Sequence, residues 1–234
     1  MDKRVLLVEG RDDQHVMWNL LGVREVPEKF KVERPKADRD SQHDHENEAD
    51  GGDRVLLDSI PWWLLQTGLE RLAVVVDAND KGPEARWESL RARLLYQGYR
   101  DIPARHSEDG TVFELSLRPR TPRSVRFGVW IMPDNRSTGM LEDFVMQLIR
   151  EDDEMLPFVD RFLDLIPDGQ RRFKKQHRPK ARIHSWLAVS EKPGRPMGQA
   201  IKADRQLDAN DPAVQPFLDW LMEVLIADGN NSDA

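Results

Sequence analysis

Acids recur in this chain at the points where apolar runs stop. Leu72-Ala73-Val74-Val75-Val76 ends at Asp77, with Asn79, Asp80 and Lys81 just behind it, and Val5-Leu6-Leu7-Val8 ends at Glu9-Gly10. Val125 to Met132 stops at Pro133-Asp134-Asn135, with Glu142-Asp143 soon after. Carboxylates and an amide oxygen, with no histidine or cysteine beside them, are hard donors that suit Mg²⁺ or Mn²⁺ better than zinc. Such an ion polarises a phosphate and makes a bound water nucleophilic, so the chemistry to expect is metal-assisted attack on a phosphodiester.

These acids can act together only if the fold brings them to one place. A short, unbroken valine-rich run reads as a parallel strand buried on both faces, and its carboxyl end is where ligands bind in open α/β sheets. If residues 3–8 and Leu72–Asp77 are neighbouring strands, Glu9 and Asp77 share one crevice. After the first strand, Gly10 permits a turn, Asp12 or Asp13 can accept the first helical amides, and Val16, Met17, Leu20 and Leu21 follow at helical spacing. The glycine spacing of a dinucleotide or phosphate-cradling loop is missing there. Further elements are a short strand at Phe30–Glu33, a helix beginning near Pro61 with Ser59 as cap, a helix over Pro83–Gln97, strands at Val112–Leu117 and Val125–Met132, and a helix from Gly139 to about Arg150. Beyond residue 150 the periodicity is helical, in blocks around Leu156–Leu165, Ala181–Ser190 and Val214–Ala227.

The sequence therefore reads as an α/β domain over 1–150 with a central parallel sheet, a helical extension over 151–229 packed on it, and a terminal tail over 230–234. Residues 38–53, polar and acidic, read as a mobile loop. His43, Asp44, His45 and Glu46 within that loop are a weak transition-metal pattern.

Bulk properties narrow the classes. The 234 residues are 39% hydrophobic, enough for a core, and 33% charged. A formal charge of -7 argues against a generally basic protein that coats nucleic acid, but not against a local basic stripe. With no cysteine, thiolate catalysis and disulfides are excluded and a reducing cytoplasm is the natural compartment. No run approaches the roughly 20 apolar residues of a membrane span, so no membrane partner is expected.

The stripe is present. Arg171, Arg172, Lys174, Lys175, Arg178 and Lys180, with Phe173 and His177 interleaved, form a run suited to a phosphate backbone and an unpaired base, although a solvated helix face would look the same. Arg118, Arg120, Arg123 and Arg126 are a looser second patch. His184 and Trp186 lie in an apolar helical pattern and read as core, as do Trp62 and Trp63.

Val8-Glu9-Gly10 with Asp12 or Asp13, and then Val76-Asp77-Ala78-Asn79, resemble the two motifs of the TOPRIM domain of topoisomerases, bacterial primases and overcoming-lysogenization-defect nucleases. Met132-Pro133-Asp134-Asn135, Gly139-Met140-Leu141-Glu142-Asp143 and Lys180 to Ala188 resemble more narrowly the DUF3226 family of stand-alone TOPRIM proteins. The resemblance implies a TOPRIM-like Rossmannoid fold with a four-stranded parallel core. It further implies Glu9 as general acid or base or as metal ligand, Asp77 as the first metal-binding aspartate, and Glu142 as an extra carboxylate for a second ion. The usual second aspartate falls on Asn79, a neutral donor, which passes that role to Asp80; Lys81 could neutralise charge developing on the phosphate. Relatives of this kind, PARIS-type proteins among them, are effectors of anti-phage systems that include an ATPase of the ABC or AAA type, so such a partner is implied too.

The leading expectation is a Mg²⁺- or Mn²⁺-dependent nuclease acting on DNA or RNA. The alternative is a non-catalytic regulatory subunit whose degenerate site binds a metal or nucleotide. Neither tyrosine is placed for topoisomerase chemistry, and a homodimer is left open.

Overall fold

The computed structural model describes residues 3–35, 51–117, 123–203 and 207–227. The histidines of the acidic loop, Arg118, Arg120 and the tail over 230–234 lie outside the described residues.

Five strands form one sheet in the order β2-β1-β3-β5-β4, namely β1 (Arg4–Leu7), β2 (Lys31–Glu33), β3 (Arg71–Asp77), β4 (Thr111–Ser116) and β5 (Ser124–Met132). The first four in spatial order run parallel, and β4 closes one side antiparallel to β5. The expected α/β architecture with a central parallel sheet is what the chain adopts. Alternation explains the unbroken aliphatic runs: Leu6, Val8, Ala73 and Val75 enter the core on one face, while Val5, Leu7, Leu72, Val74 and Val76 enter the core on the other.

Helices α2 (Gly51–Leu64) and α3 (Gly82–Tyr96) cover the second of these faces. The first is covered by α1 (Arg11–Val23), α4 (Leu141–Met146), α5 (Leu156–Leu165), α6 (Arg178–Ala188), α7 (Met197–Ala203) and α8 (Gln215–Leu225). The helices beyond residue 150 thus share one core with the strands, Phe217 and Trp220 of α8 packing on Trp130 of β5. Close approach of α8 requires Gly128, where a Cβ would collide with Val224.

Several boundaries differ from the sequence reading. Helix α2 starts at Gly51, so residues 51–53 belong to a helix and not to the loop, and Pro61 lies inside it. The proline is tolerated because only its last turn follows, with Leu65 N–H still donating to Pro61 C=O at 3.2 Å. Ser59 does not cap; its hydroxyl donates back to Leu56 C=O at 2.7 Å. The helix expected through Arg150 ends at Met146, and the short α7, preceded by Pro193, Gly194 and Pro196, is an element the sequence pattern does not announce. Trp63 and Trp186 are core, but Trp62 is 42% exposed and His184 is exposed.

Candidate functional site

The chain leaves β1 toward β2 through α1 on one face, and leaves β3 toward β5 through α3 on the other. The helices diverge between β1 and β3, which makes the carboxyl edge of this strand pair the natural crevice of the sheet. Glu9 and Asp77 stand at that point. Glu9 Oε1 accepts the Asp77 backbone N–H at 3.1 Å, and Asp77 Oδ1 accepts the Leu141 N–H at 3.0 Å. The first turn of α4 is thereby tied to β3, and β3 to the end of β1. Arg86 of α3, not singled out in the sequence, donates from Nε to Asp77 C=O at 2.6 Å.

Two acid pairs flank this core in matching positions. Asp13 Oδ2 accepts the Gly10 N–H at 3.2 Å, and Asp143 Oδ2 accepts the Met140 N–H at 2.9 Å, so each caps its own helix from the third helical position. Beside them stand Asp12 and Glu142. Glu142 is 5% exposed, and Lys180 of α6 approaches Glu142 Oε1 at 3.7 Å. Burial raises the Asp13 carboxyl to about 6, helped by the charges of Glu142 and Asp12. Burial likewise raises Glu142 above the usual carboxylate range, Lys180 opposing and Asp143 and Asp12 adding to the rise. Asp143 is raised by burial against the Met140 N–H and Arg182. Burial is thus the main cause that lifts the carboxyls at this edge, with neighbouring acids adding to it at Asp13 and Glu142.

Asn79 has a backbone reason for its identity. Its φ is 52°, in the left-handed region that asparagine tolerates better than most residues. Its N–H donates to Gly139 C=O at 2.7 Å and its C=O accepts the Gly139 N–H at 3.2 Å, clasping the two turns together. Gly139, at φ 140°, has no room for a side chain, since a Cβ would lie 2.7 Å from Asp143 Oδ2.

Asp80 and Lys81 are exposed. A cleft of about 430 Å³ opens beside them, walled by Asn79, Asp80, Thr138, Gly139, Met140 and Asp143 on one side and by Lys175, Gln176 and Pro179 on the other. Asp134, the acid at the end of β5, is turned to its own loop instead, its carboxylate accepting from Arg136 N–H, Ser137 N–H and Ser137 Oγ. Among the described residues no three acidic or histidine side chains stand at metal-ligand spacing.

The basic run divides in use. Arg182 holds Asp160 in a two-pronged pair at 2.6 and 2.7 Å, Arg178 reaches Asp164 at 2.8 Å, and Arg171 pairs with Asp168 and lies over Phe173. Lys180 faces Glu142 and Lys175 lines the cleft, while Arg172 and Lys174 are exposed without an ion pair among the described residues. Of the second patch, Arg123 donates to the carbonyls of Leu64, Gln66 and Leu69, and Arg126 pairs with Glu114 and Glu223.

Fold and site define an α/β protein with an acidic crevice at the carboxyl edge of a parallel sheet. A family model described as a protein of unknown function, DUF3226, matches residues 3–226, and the chain belongs to that family. No curated protein and no solved structure gives a significant match.

Proposed function

We propose that this is a TOPRIM-like, Mg²⁺- or Mn²⁺-dependent nuclease that cleaves phosphodiester bonds in DNA or RNA at the crevice between β1 and β3. The observation that carries the reading is the contact between Glu9 and the Asp77 backbone, which puts two carboxylates distant in sequence at one strand edge. The donor set suits the cation in kind, being hard oxygens only. The want of a three-ligand cage is no objection, because Mg²⁺ is commonly held by one or two carboxylates together with waters and substrate phosphate.

Asp77 and Asp80 would hold the cation, with Glu9 and Glu142 available to a second ion. When bound, the cation polarises the scissile phosphate and lowers the pKa of a bound water. Glu9 is placed to take the proton of an attacking water through a carboxylate whose Oε1 is fixed by the Asp77 N–H. Lys175, on the opposite wall of the cleft, and Lys180 offset phosphate charge, and exposed Lys81 can do so from the rim. Exposed Lys175 marks where the nucleic-acid backbone can leave the cleft.

With Mn²⁺, the purified protein is expected to nick plasmid or cut tRNA, and Glu9→Gln to lose that activity; equal cutting by the variant would assign the activity to a contaminant and sink the proposal. A second reading, a regulatory subunit with a degenerate site, is favoured by the neutral Asn79, which stands at a left-handed backbone position that asparagine tolerates. Calorimetric Mn²⁺ binding without cleavage of any nucleic acid would select it. An ATPase partner of the ABC or AAA type fits either reading.

A further inference from the structure

Helix α5 has two apolar sides. Val159 and Leu163 are buried in the core, and Asp160 and Asp164 lock the helix to Arg178 and Arg182 of α6. On the other side Met155, Phe158, Phe162 and Leu165 are 42%, 64%, 57% and 73% exposed. Single exposed apolar residues need no explanation, but these four recur at helical spacing and make one stripe. With side chains of this size presenting about 150–250 Å² each, the stripe offers on the order of 450 Å². That matches the largest apolar patches of monomeric proteins, which are often functional.

The stripe is symmetric about position 160. Met155 and Leu165 are equidistant from it, and so are Phe158 and Phe162. Two such helices packed antiparallel about a two-fold axis set Phe158 against the partner's Phe162 and Met155 against the partner's Leu165, as a self-complementary interface requires. The charges agree. Glu151 and Glu154 are exposed at the amino end of α5, and Arg172 and Lys174 are exposed in the loop that joins its carboxyl end to α6; none has an ion pair among the described residues. The other acids nearby are engaged, Asp152 with Arg150, Asp168 with Arg171 and Asp153 with the first amides of α5, while exposed Arg161 flanks the stripe near its centre. Antiparallel packing brings each free acidic end to the basic end of the other copy. Two stripes bury about 900 Å², and with their polar rims reach the roughly 1,000 Å² at which specific interfaces begin.

We propose that this face seats a second copy of the chain, making a homodimer through antiparallel α5 helices. Sedimentation equilibrium of the full chain tests it. The wild type is expected to reach about 54 kDa, twice the 27.1 kDa chain, at tens of micromolar. Phe158→Asp with Phe162→Asp is expected to raise the dissociation constant by roughly a hundredfold or more, with the circular dichroism of the folded protein retained. Glu154→Lys should weaken the dimer, and adding Lys174→Glu to the same chain should restore it, which decides the matter even if the double aspartate variant does not fold. A wild type that stays monomeric, a dimer indifferent to these changes, or a monomer that instead floats with vesicles containing anionic lipid would each overturn the proposal.

Discussion

The two edges of the parallel sheet carry opposite charges and engage the rest of the chain differently. Where the strands begin, Arg4, Arg71 and Arg126 stand abreast in register on β1, β3 and β5. Their guanidinium groups donate to carbonyls at the carboxyl end of α8: Arg4 to Leu225, Arg71 to Val224 and Ala227, and Arg126 to Glu223. Cations are thereby matched to the negative end of a helix, and the polar groups left over at a helix terminus are satisfied. Where the strands end, Glu9, Asp77, Asp13 and Glu142 gather, and burial, with the charges of neighbouring acids, lifts the last two above the usual carboxylate range. The same topology lines up residues at both edges. The arginine edge closes the fold, whereas the acidic edge lies beside an open cleft.

The largest expected difference between the edges is in activity. Asp77→Asn or Glu9→Gln should lower Mn²⁺-dependent cleavage by about 10²–10⁴-fold in a plasmid-nicking assay while leaving the thermal midpoint nearly unchanged. Arg71→Ala should do the reverse. Loss of its bonds to Val224 and Ala227 is expected to cost about 1–2 kcal/mol, read by urea melts, with cleavage per folded molecule preserved.

Next in size is Asp13→Asn, which keeps an oxygen for the Gly10 N–H and removes the charge. The Asp13 carboxyl is raised from 3.8 to about 6 on folding, so between those values the folded chain binds more protons than the unfolded one, and stability falls as pH rises through that window. The asparagine variant should accordingly be the more stable at pH 7, by up to about 3 kcal/mol, and close to the wild type near pH 4. Saturating Mg²⁺ should narrow the gap by stabilising the wild type, and melts at the two pH values with and without Mg²⁺ would read all of this. The smallest change is one of position. Lys180→Met removes the cation that opposes the rise of Glu142, so any acid limb of the cleavage profile that reports Glu142 should move to higher pH.

How much of this was legible in the sequence depended on whether a residue's partner lay nearby in the chain or was implied by strand grammar. Glu9 and Asp77 could be paired in advance, because each ends a valine- or leucine-rich run and parallel strands end at one edge. The use of the basic run could not, because the pairing of Arg178 and Arg182 with α5 depends on how two helices pack, and no local pattern encodes that. Arg4 and Arg71 drew no notice, since a lone arginine at a strand start looks solvated until α8 is docked. Asn79 looked like a lost ligand, and its left-handed backbone and its clasp with Gly139 were visible only in three dimensions. Helix α2 was misread at its start because glycines and an internal proline mask a helix whose stability comes from burying Leu56, Leu57, Ile60, Trp63 and Leu64.

The latch formed by α8 also orders events during synthesis. All five strands precede it, yet Trp130 stays without Phe217 and Trp220 until α8 has left the ribosome. A nascent chain can assemble its sheet and the earlier helices but cannot complete the arginine row's bonds, so a polypeptide released early would leave Trp130 without its aromatic cover.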